Sequence, residues 1–401
     1  MRRLILAGLA TLTGATAAAA PPERASLPKA WAAFEARFRG RLAALGVVGA
    51  SLTVVDRSGI VLRAQHGLRD RDPGRPVDED TAFHWASITK TFTSIAIMQL
   101  RDRGRLALDE PAVKYLPELR QVHDPFGDVS EITIRHLMTH SAGFRAGTWP
   151  WGGGEPWHPF EPTRYEQLVA MLPYTEVQFR PGSRHSYSNP GIVFLGRIVE
   201  LLTGEDYEVY VEKNILRPLG MRESYFDRAP YHLLERRSHS YSGAPGALRE
   251  QPFDFDSGVT VSNGGLNGPL TDMARYLAFL IGAPGDAKYE GVLKRTSLEE
   301  MFQPRVPIAS EDPGQEAIGL SFFLERRGGR RLVAHSGDQA GFISHVYLDP
   351  QAKVGYVVGF NTDVVEGERS RTRELDAAIR DDLLAEVFPA LAEQEATPKP
   401  R

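Results

Sequence analysis

The sequence predicts an α/β protein of the α+β type, in which terminal helices flank an antiparallel sheet and a large helical domain is inserted between the strands of that sheet. Two observations lead to this prediction. Apolar residues alternate with small or polar ones near both ends of the chain, whereas helical periodicity and long loops rich in glycine and proline dominate from residue 87 to about residue 290. The 401 residues, 42% of them hydrophobic, are enough to bury a large core.

The first residues of the chain are typical of an export signal. Arg2 and Arg3 precede an uncharged stretch that ends in small residues, "TAAAAPP". We expect cleavage after Ala19, so that residues 1–19 are a signal peptide and the mature protein is periplasmic or secreted, without a stable membrane anchor. An uncleaved anchor is the alternative, although the uncharged stretch is short for a membrane span.

The sheet domain is expected to consist of residues 27–86 and 291–390. In its first part, "GVVGASLTVVDRSGIVLRAQHGL" alternates apolar and small residues around "DRSG", which predicts a β-hairpin. Two further hairpins are predicted in the second part, with turns at "RRGGRR" and "LDPQAK". A helix near residues 374–387 follows, and the polar residues 391–401 are expected to form a disordered tail.

The inserted domain, residues 87–290, is expected to be mainly helical. Its first helix begins at Ser87, where apolar residues start to recur at helical spacing. Three later helix starts have typical signals. Thr133 and Thr271 are candidate caps before apolar helical runs, and Asn189 is followed by a proline that suits the first helical turn.

The composition excludes several classes of protein. The chain has no cysteine, so a cysteine nucleophile, a disulfide and a thiolate zinc site are all excluded. Its formal net charge is −4 and no long run of one sign occurs, so no nucleic-acid partner is expected. We also expect neither a cofactor nor a metal.

A serine and a lysine lie one helical turn apart in "HWASITKTF", as Ser87 and Lys90. The N-terminus of a helix presents free N–H groups and a dipole that favour negative charge, which suits a nucleophile. By itself, however, such a pair more often reflects a serine helix cap. The same spacing occurs at Ser26 and Lys29 in "SLPK", which heads no apolar helical run.

Two further motifs follow along the chain. Tyr187 lies in "PGSRHSYSNPG", on a loop before a helix, and Asn189 beside it can be a helix cap. His335, Ser336 and Gly337 lie in "LVAHSGDQAGF", where a predicted strand runs into a glycine turn. Each of these motifs has an ordinary structural interpretation when it is considered alone.

Taken in this order, the three motifs resemble those of the serine hydrolase family that contains class C β-lactamases, D-alanyl-D-alanine carboxypeptidases and related (family VIII-type) esterases. That family uses Ser-x-x-Lys, Tyr-x-Asn and Lys/His-x-Gly. The segments "LDEPAVKYLP", "ITIRHLMTHSAGF" and "ILRPLGM" add to the likeness, which covers roughly residues 35–385. The resemblance implies a β-lactamase/transpeptidase-like fold with the site between the two domains.

The resemblance also implies a role for each residue. Ser87 is the nucleophile that forms an acyl-enzyme, and either Tyr187 or Lys90 is the base that takes its proton. The backbone N–H groups of Ser87 and Asp338 form the oxyanion hole. Asn189 orients the acyl group of the substrate.

A tyrosine base requires a lowered pKa. Free tyrosine has a pKa of about 10, so only about one molecule in a thousand is ionised at pH 7. A positive charge about 4 Å away would stabilise the phenolate by roughly 4 kcal/mol at an effective dielectric near 20. Lys90 can therefore activate Tyr187, provided that burial of the phenolate does not cost more.

The substrate pocket is expected to be lined by His335, Ser336 and Gly337. His335 stands where class C β-lactamases carry lysine, and a mostly neutral histidine holds a carboxylate less well. The charge of Asp338 acts in the same direction, so both residues argue against efficient hydrolysis of β-lactams, which carry a carboxylate. Trp151, in "GTWPWGGGEPWHPF", is expected either to form an aromatic wall of the pocket or to pack within its own loop.

We therefore expect an exported serine hydrolase that works through an acyl-enzyme. Its substrates are expected to be small molecules, namely esters or D-amino-acid peptides, with weak β-lactam hydrolysis as a side activity. The alternative is a penicillin-binding or acyl-binding sensor that is acylated without efficient turnover.

Other motifs offer competing interpretations. Ser141 in "THSAG" would be a nucleophile in an α/β-hydrolase, but that fold requires a preceding strand, and the sequence there is helical. His136 and His140 have the spacing of metal ligands, but no third ligand is evident, so structural roles are favoured. The segment "SNGGLNG", residues 262–268, either borders the site or forms an ordinary tight loop.

Overall fold

The computed structural model describes residues 26–148, 163–253, 256–282, 287–309 and 314–396. The predicted signal peptide and the tryptophan-rich loop with Trp151 lie outside the described residues. No helix of the described part of the chain is long and apolar enough to cross a membrane.

The α-helices are α1 Leu27–Leu45, α2 Thr89–Asp102, α3 Ile134–Met138, α4 Tyr165–Val169, α5 Asn189–Thr203, α6 Tyr207–Val211, α7 Arg217–Leu219, α8 Val261–Gly264, α9 Leu270–Ile281, α10 Ala287–Val292, α11 Arg295–Met301, α12 Arg371–Asp382 and α13 Phe388–Ala396. The strands are β1 Gly49–Asp56, β2 Gly59–Gly67, β3 Ala82–His84, β4 Tyr225–Phe226, β5 Tyr241–Gly243, β6 Arg249–Glu250, β7 Leu266–Pro269, β8 Val306–Pro307, β9 Gln315–Ile318, β10 Phe323–Arg327, β11 Arg330–Gln339, β12 Phe342–Asp349, β13 Val354–Phe360, β14 Thr362–Glu366 and β15 Arg369–Ser370.

The main sheet has eight antiparallel strands in the order β2-β1-β13-β12-β11-β10-β9-β8. The three predicted hairpins, β1–β2, β10–β11 and β12–β13, are all confirmed. Strand β1 pairs with β13 in a register that sets Ala50 opposite Phe360, so the two ends of the chain are joined in one sheet. This pairing confirms an antiparallel sheet built from both ends of the chain.

Helices cover both faces of the main sheet. On one face, α1 packs Phe34, Phe38 and Leu42, which recur every four residues, against the sheet and the C-terminal helices. On the other face, α9 and the helical region bury a larger apolar core, in which Leu277 and Val357 take part. The predicted fold, a sheet between terminal helices and an inserted helical region, is confirmed.

Several expected helix starts differ from the structure. Residues Ala86–Ile88 form a 3₁₀ turn and α2 begins only at Thr89, so Ser87 precedes the helix. Thr271 lies inside α9, which begins after Pro269. The "SLPK" segment does head a helix, because α1 begins at Leu27.

The other two expected helix starts are confirmed, although the capping residue of one of these helices differs from the expected one. Thr133 caps α3 by accepting a hydrogen bond from the backbone N–H of His136. Asn189 is the first residue of α5, but Ser188 is its cap. The last described helix, α13, continues through residues 391–396, where a tail was expected, and the residues after 396 lie outside the described part.

Candidate active site

The part of β11 that extends beyond its pairing with β10 forms one side of the candidate site. Strand β10 begins at Phe323, opposite Ala334, so residues 335–339 pair with β12 alone within the main sheet. The turn that carries Ser87 packs here, because Gly337 has no side chain. A Cβ at Gly337 would overlap the carbonyl oxygen of Trp85 and the Ser344 hydroxyl. The glycine of the His-Ser-Gly motif therefore permits the close approach of β11 to the serine.

Ser87 is presented to the cavity by a turn that is otherwise buried. It is the one residue between 81 and 100 that is not classed as buried. Ala86, just before it, has a φ of 45°, in the left-handed region that residues with a Cβ rarely adopt. The Trp85 indole N–H donates to the carbonyl oxygen of Gly268, 3.1 Å away, which anchors the turn to β7.

Lys90 lies beneath Ser87 and is completely buried. Its Nζ is 2.9 Å from Ser87 Oγ and 2.8 Å from the carbonyl oxygen of Asn263, to which it donates. Lys90 forms no ion pair with any carboxylate of the described residues. Burial therefore lowers the pKa of Lys90 well below its usual value.

Tyr187 borders the same space, with its ring centroid 5.0 Å from Lys90 Nζ. The ring stacks on His140 at 4.4 Å. His140 is itself fixed because its Nδ1 accepts a hydrogen bond from the backbone N–H of Ser188. Burial raises the pKa of Tyr187 above its usual value, although a hydrogen bond with Ser87 opposes the shift. Because burial also lowers the pKa of Lys90, the positive charge that a tyrosine base would need beside it is disfavoured as well, and the condition attached to that base is not met.

His335 is buried and neutral. Its Nδ1 is 2.8 Å from the carbonyl oxygen of Ser336. Because a carbonyl only accepts, Nδ1 carries the proton, and Nε2 is an acceptor with no hydrogen-bond partner among the described residues. Burial, with a smaller contribution from Lys90, lowers the pKa of His335 to about 3. In this state the ring can accept a hydrogen bond but cannot hold a carboxylate.

Ser87, Tyr187 and His335 line a cavity of about 400 Å³, whereas Lys90 is buried behind Ser87 and does not line it. One wall contains the sequence-predicted residues, which are Ser87, Tyr187, His335, Ser336, Gly337 and Asp338. The other wall comes from α12 and β12, which the sequence did not indicate, and contributes Arg373, Asp376, Ala377, Arg380, Ile343 and His345. The structure therefore brings the three motifs together.

Two residues near the cavity were not identified as site residues from the sequence, and one predicted site residue does not line the cavity. Asn263 belongs to "SNGGLNG", so this segment does border the site. Phe323 was not singled out from the sequence, yet it packs against both Tyr187 and His335. Asn189 is not among the described residues that line the cavity, and its buried side-chain oxygen has no hydrogen-bond partner within the described ranges.

The residues of the competing motifs form internal hydrogen bonds and have structural roles. Ser141 is fully buried, and its hydroxyl is 2.8 Å from that of Thr139. It follows the short helix α3 rather than a strand, so the α/β-hydrolase arrangement does not occur there. His136 Nδ1 accepts a hydrogen bond from the backbone N–H of Thr133, 3.3 Å away. Within the described ranges, no group of three or more histidine or carboxylate side chains is arranged to hold a metal.

Comparison with known proteins agrees with this architecture. The family model for beta-lactamases matches residues 34–380. Esterase EstB of Burkholderia gladioli is 32% identical over 310 residues, which cover 67% of this chain and 75% of the esterase.

Two solved structures extend the comparison. The octameric penicillin-binding protein homologue from Pyrococcus abyssi is 29% identical, with a TM-score of 0.73 over 88% of this chain and 77% of that one. A D-stereospecific amidohydrolase from Streptomyces is 25% identical, with a TM-score of 0.68 over 87% of this chain and 98% of its own. The chain therefore belongs to the beta-lactamase family and is a serine hydrolase of that family.

Proposed function

We propose that this protein is an exported serine hydrolase that forms an acyl-enzyme at Ser87, acting on esters or D-amino-acid peptides and only weakly on β-lactams. The observation that carries the proposal is the contact between the buried Lys90 Nζ and the Oγ of Ser87, which lines the cavity. Burial without an acidic partner lowers the pKa of Lys90 and so favours its neutral form, and a neutral amine can take the proton of a serine hydroxyl.

The reaction begins with attack of Ser87 Oγ on the substrate carbonyl while its proton moves to Lys90 Nζ. The new C–O bond yields an oxyanion, which the backbone N–H groups of Ser87 and Asp338 hold. Collapse of this intermediate breaks the bond to the leaving group, which takes its proton from Lys90 through the Tyr187 hydroxyl. Water then attacks the acyl-enzyme by the reverse sequence and releases the acid.

The substrate preference follows from the pocket and the relatives. The relative from Burkholderia gladioli is named an esterase, and the Streptomyces structure is named a D-stereospecific amidohydrolase. A neutral His335, in place of lysine, gives the site no cation at the position where it would meet a substrate carboxylate. Neutral acyl compounds therefore suit this site better than β-lactams do.

A parallel assay tests the proposal. Short p-nitrophenyl esters, a D-Ala-D-Ala peptide and a β-lactam are compared by kcat/KM, and the acyl-enzyme is sought by mass spectrometry. We expect the esters to be hydrolysed fastest and Ser87→Ala to lose both hydrolysis and the covalent adduct. Ser26→Ala and Ser141→Ala are the matched controls and should behave like the unaltered protein. Full activity of Ser87→Ala would contradict the site.

The same assay separates an enzyme from an acyl-binding sensor. A sensor would release one equivalent of p-nitrophenol and then stop, whereas an enzyme continues at a steady rate. Export is tested independently by the mass of the protein recovered from its native cell envelope or medium. Removal of residues 1–19 is expected, and recovery of the full-length chain would contradict the signal peptide.

A further inference from the structure

An ion pair crosses the mouth of the cavity. Asp338, the residue after Gly337 on β11, contacts Arg373 in the first turn of α12 through its carboxylate. Both residues line the cavity next to Ser87. The backbone N–H of Asp338 is also the proposed second donor to the oxyanion. The charge of this side chain therefore lies beside the atoms that react.

Arg380 and His345, which also line this cavity, have hydrogen-bond partners of their own. Arg380 donates to Asp381 at 3.0 Å and to the Tyr347 hydroxyl at 3.3 Å, and it lies 3.9 Å from Glu325. His345 is hydrogen-bonded to Asp376.

Of the cationic side chains among the described lining residues, Arg373 is the most exposed, with 63% of its side chain accessible. Arg373 is thus the group that a substrate carboxylate would reach first, and Asp338 already occupies it.

We propose that Asp338 determines specificity by withholding the Arg373 guanidinium from the substrate, so that the site accepts substrates with no carboxylate near the scissile bond. The proposal rests on the proposed function, because it requires acylation of Ser87 in this cavity. Asp338 competes well with a dissolved carboxylate because α12, which carries Arg373, is held to the sheet beside β11. The hydrogen bond between His345 of β12 and Asp376 of α12 makes this connection, and β12 pairs directly with β11. The negative charge of Asp338 also repels an incoming anion.

The size of the effect follows from the exposure of the pair. An exposed ion pair changes an equilibrium constant by only a few-fold, and repulsion between two nearby carboxylates contributes a similar factor. Replacing the carboxylate by an amide of the same shape removes both effects. We therefore expect Asp338→Asn to change the relative kcat/KM for charged substrates by about tenfold.

The experiment uses two pairs of esters that differ only in charge. The first pair, 3-carboxyphenyl butyrate and 3-carbamoylphenyl butyrate, varies the leaving group. The second pair, phenyl hydrogen succinate and phenyl succinamate, varies the acyl group. The unaltered protein should prefer the carbamoyl member. Asp338→Asn should shift the ratio toward the carboxylate in at least one pair, and that pair identifies the side of the substrate that faces α12.

Arg373→Gln, alone and together with Asp338→Asn, completes the cycle. The double variant should not show the shift of the kcat/KM ratio toward the carboxylate substrate, because the Arg373 guanidinium that Asp338→Asn releases is then absent. An unchanged ratio in Asp338→Asn, or a gain that persists without Arg373, would overturn the proposal. Failure of the proposed function is a separate result, since it would appear as hydrolysis of the neutral esters by Ser87→Ala.

Discussion

At the scale of single residues, Lys90 is the group whose role depends most on its surroundings. The sequence predicted its spacing from Ser87, and the resemblance predicted its importance. The sequence could not predict whether Lys90 would be charged, because the charge depends on burial and on partners distant in the chain. The structure buries Lys90 against a backbone carbonyl, and burial raises the pKa of Tyr187. Of the two bases that the sequence left open, we therefore favour Lys90.

Replacement of Lys90 by methionine should lower kcat/KM for esters by about 10²–10⁴-fold, the usual contribution of a general base. In the unaltered protein, kcat/KM should fall as the pH falls through the pKa of Lys90, because the protonated amine cannot accept a proton. That pKa lies well below the usual value for lysine, so the change occurs at a lower pH than for an exposed lysine.

The measurement is a pH profile of kcat/KM for both proteins. Lys29→Met, at the exposed lysine of "SLPK", is the control and should leave the profile unchanged. If the Lys90 variant keeps the ascending limb of the profile, another group is the base.

At the scale of elements, the sequence located the three hairpins of the main sheet and several helices, but it missed α1 and misplaced the starts of α2 and α9. Periodicity predicts that a helix exists, whereas its first residue depends on local φ and ψ angles. The turn before α2 contains Ala86 at φ 45°, which no residue pattern indicates. Likewise, the motif "HSG" considered alone could be a strand end that runs into a glycine turn, whereas its glycine lies within β11 and permits close packing. Such requirements arise from neighbours in space, so a single sequence does not show them.

Gly337→Ala should impair the site and the fold together. The added methyl group meets the backbone of Trp85, which cannot move without shifting the Ser87 turn. Overpacking of this kind typically costs about 1–3 kcal/mol of stability. We expect a lower unfolding midpoint in urea and a large loss of kcat.

Gly40→Ala is the matched control, because Gly40 lies within α1 and an added Cβ would meet nothing within 4 Å. That variant should be as active as the unaltered protein and slightly more stable, by about 0.5–1 kcal/mol. A fully active, stable Gly337→Ala protein would show that β11 and the Ser87 turn are not packed as described.

At the scale of the whole molecule, the fold was predictable because strand patterns occur at both ends of the chain. Few sheet topologies can join such strands around an inserted helical region. The three motifs could be ordered along the sequence, and the family resemblance connected them. The α12 wall was not predictable, since Arg373 and Asp376 lie on an ordinary amphipathic helix with no motif. Nor was the small sheet β3-β7-β4, which joins residues almost 190 positions apart, such as Ala82 and Pro269. Contacts of this separation carry no local signal.

The buried histidines should make the whole molecule sensitive to acid. The pKa of His84 is lowered to about 4 and that of His335 to about 3, chiefly by burial, whereas histidines of the unfolded chain titrate near 6.5. Between these values the unfolded chain binds more protons, so the free energy of unfolding falls as the pH falls below about 6.5. For His84 alone the loss amounts to roughly 3 kcal/mol once the pH is below about 4.

Urea-unfolding midpoints between pH 7.5 and pH 4 measure this loss. His84→Gln should start from a lower midpoint but lose less on acidification, because one buried group no longer resists protonation. His232→Gln, which alters an exposed histidine, should show the same slope as the unaltered protein. A midpoint that stays constant down to pH 4 would mean that these histidines are hydrated or paired with acids in solution. The assignment of a neutral His335, on which the proposed preference for uncharged substrates depends, would then be wrong.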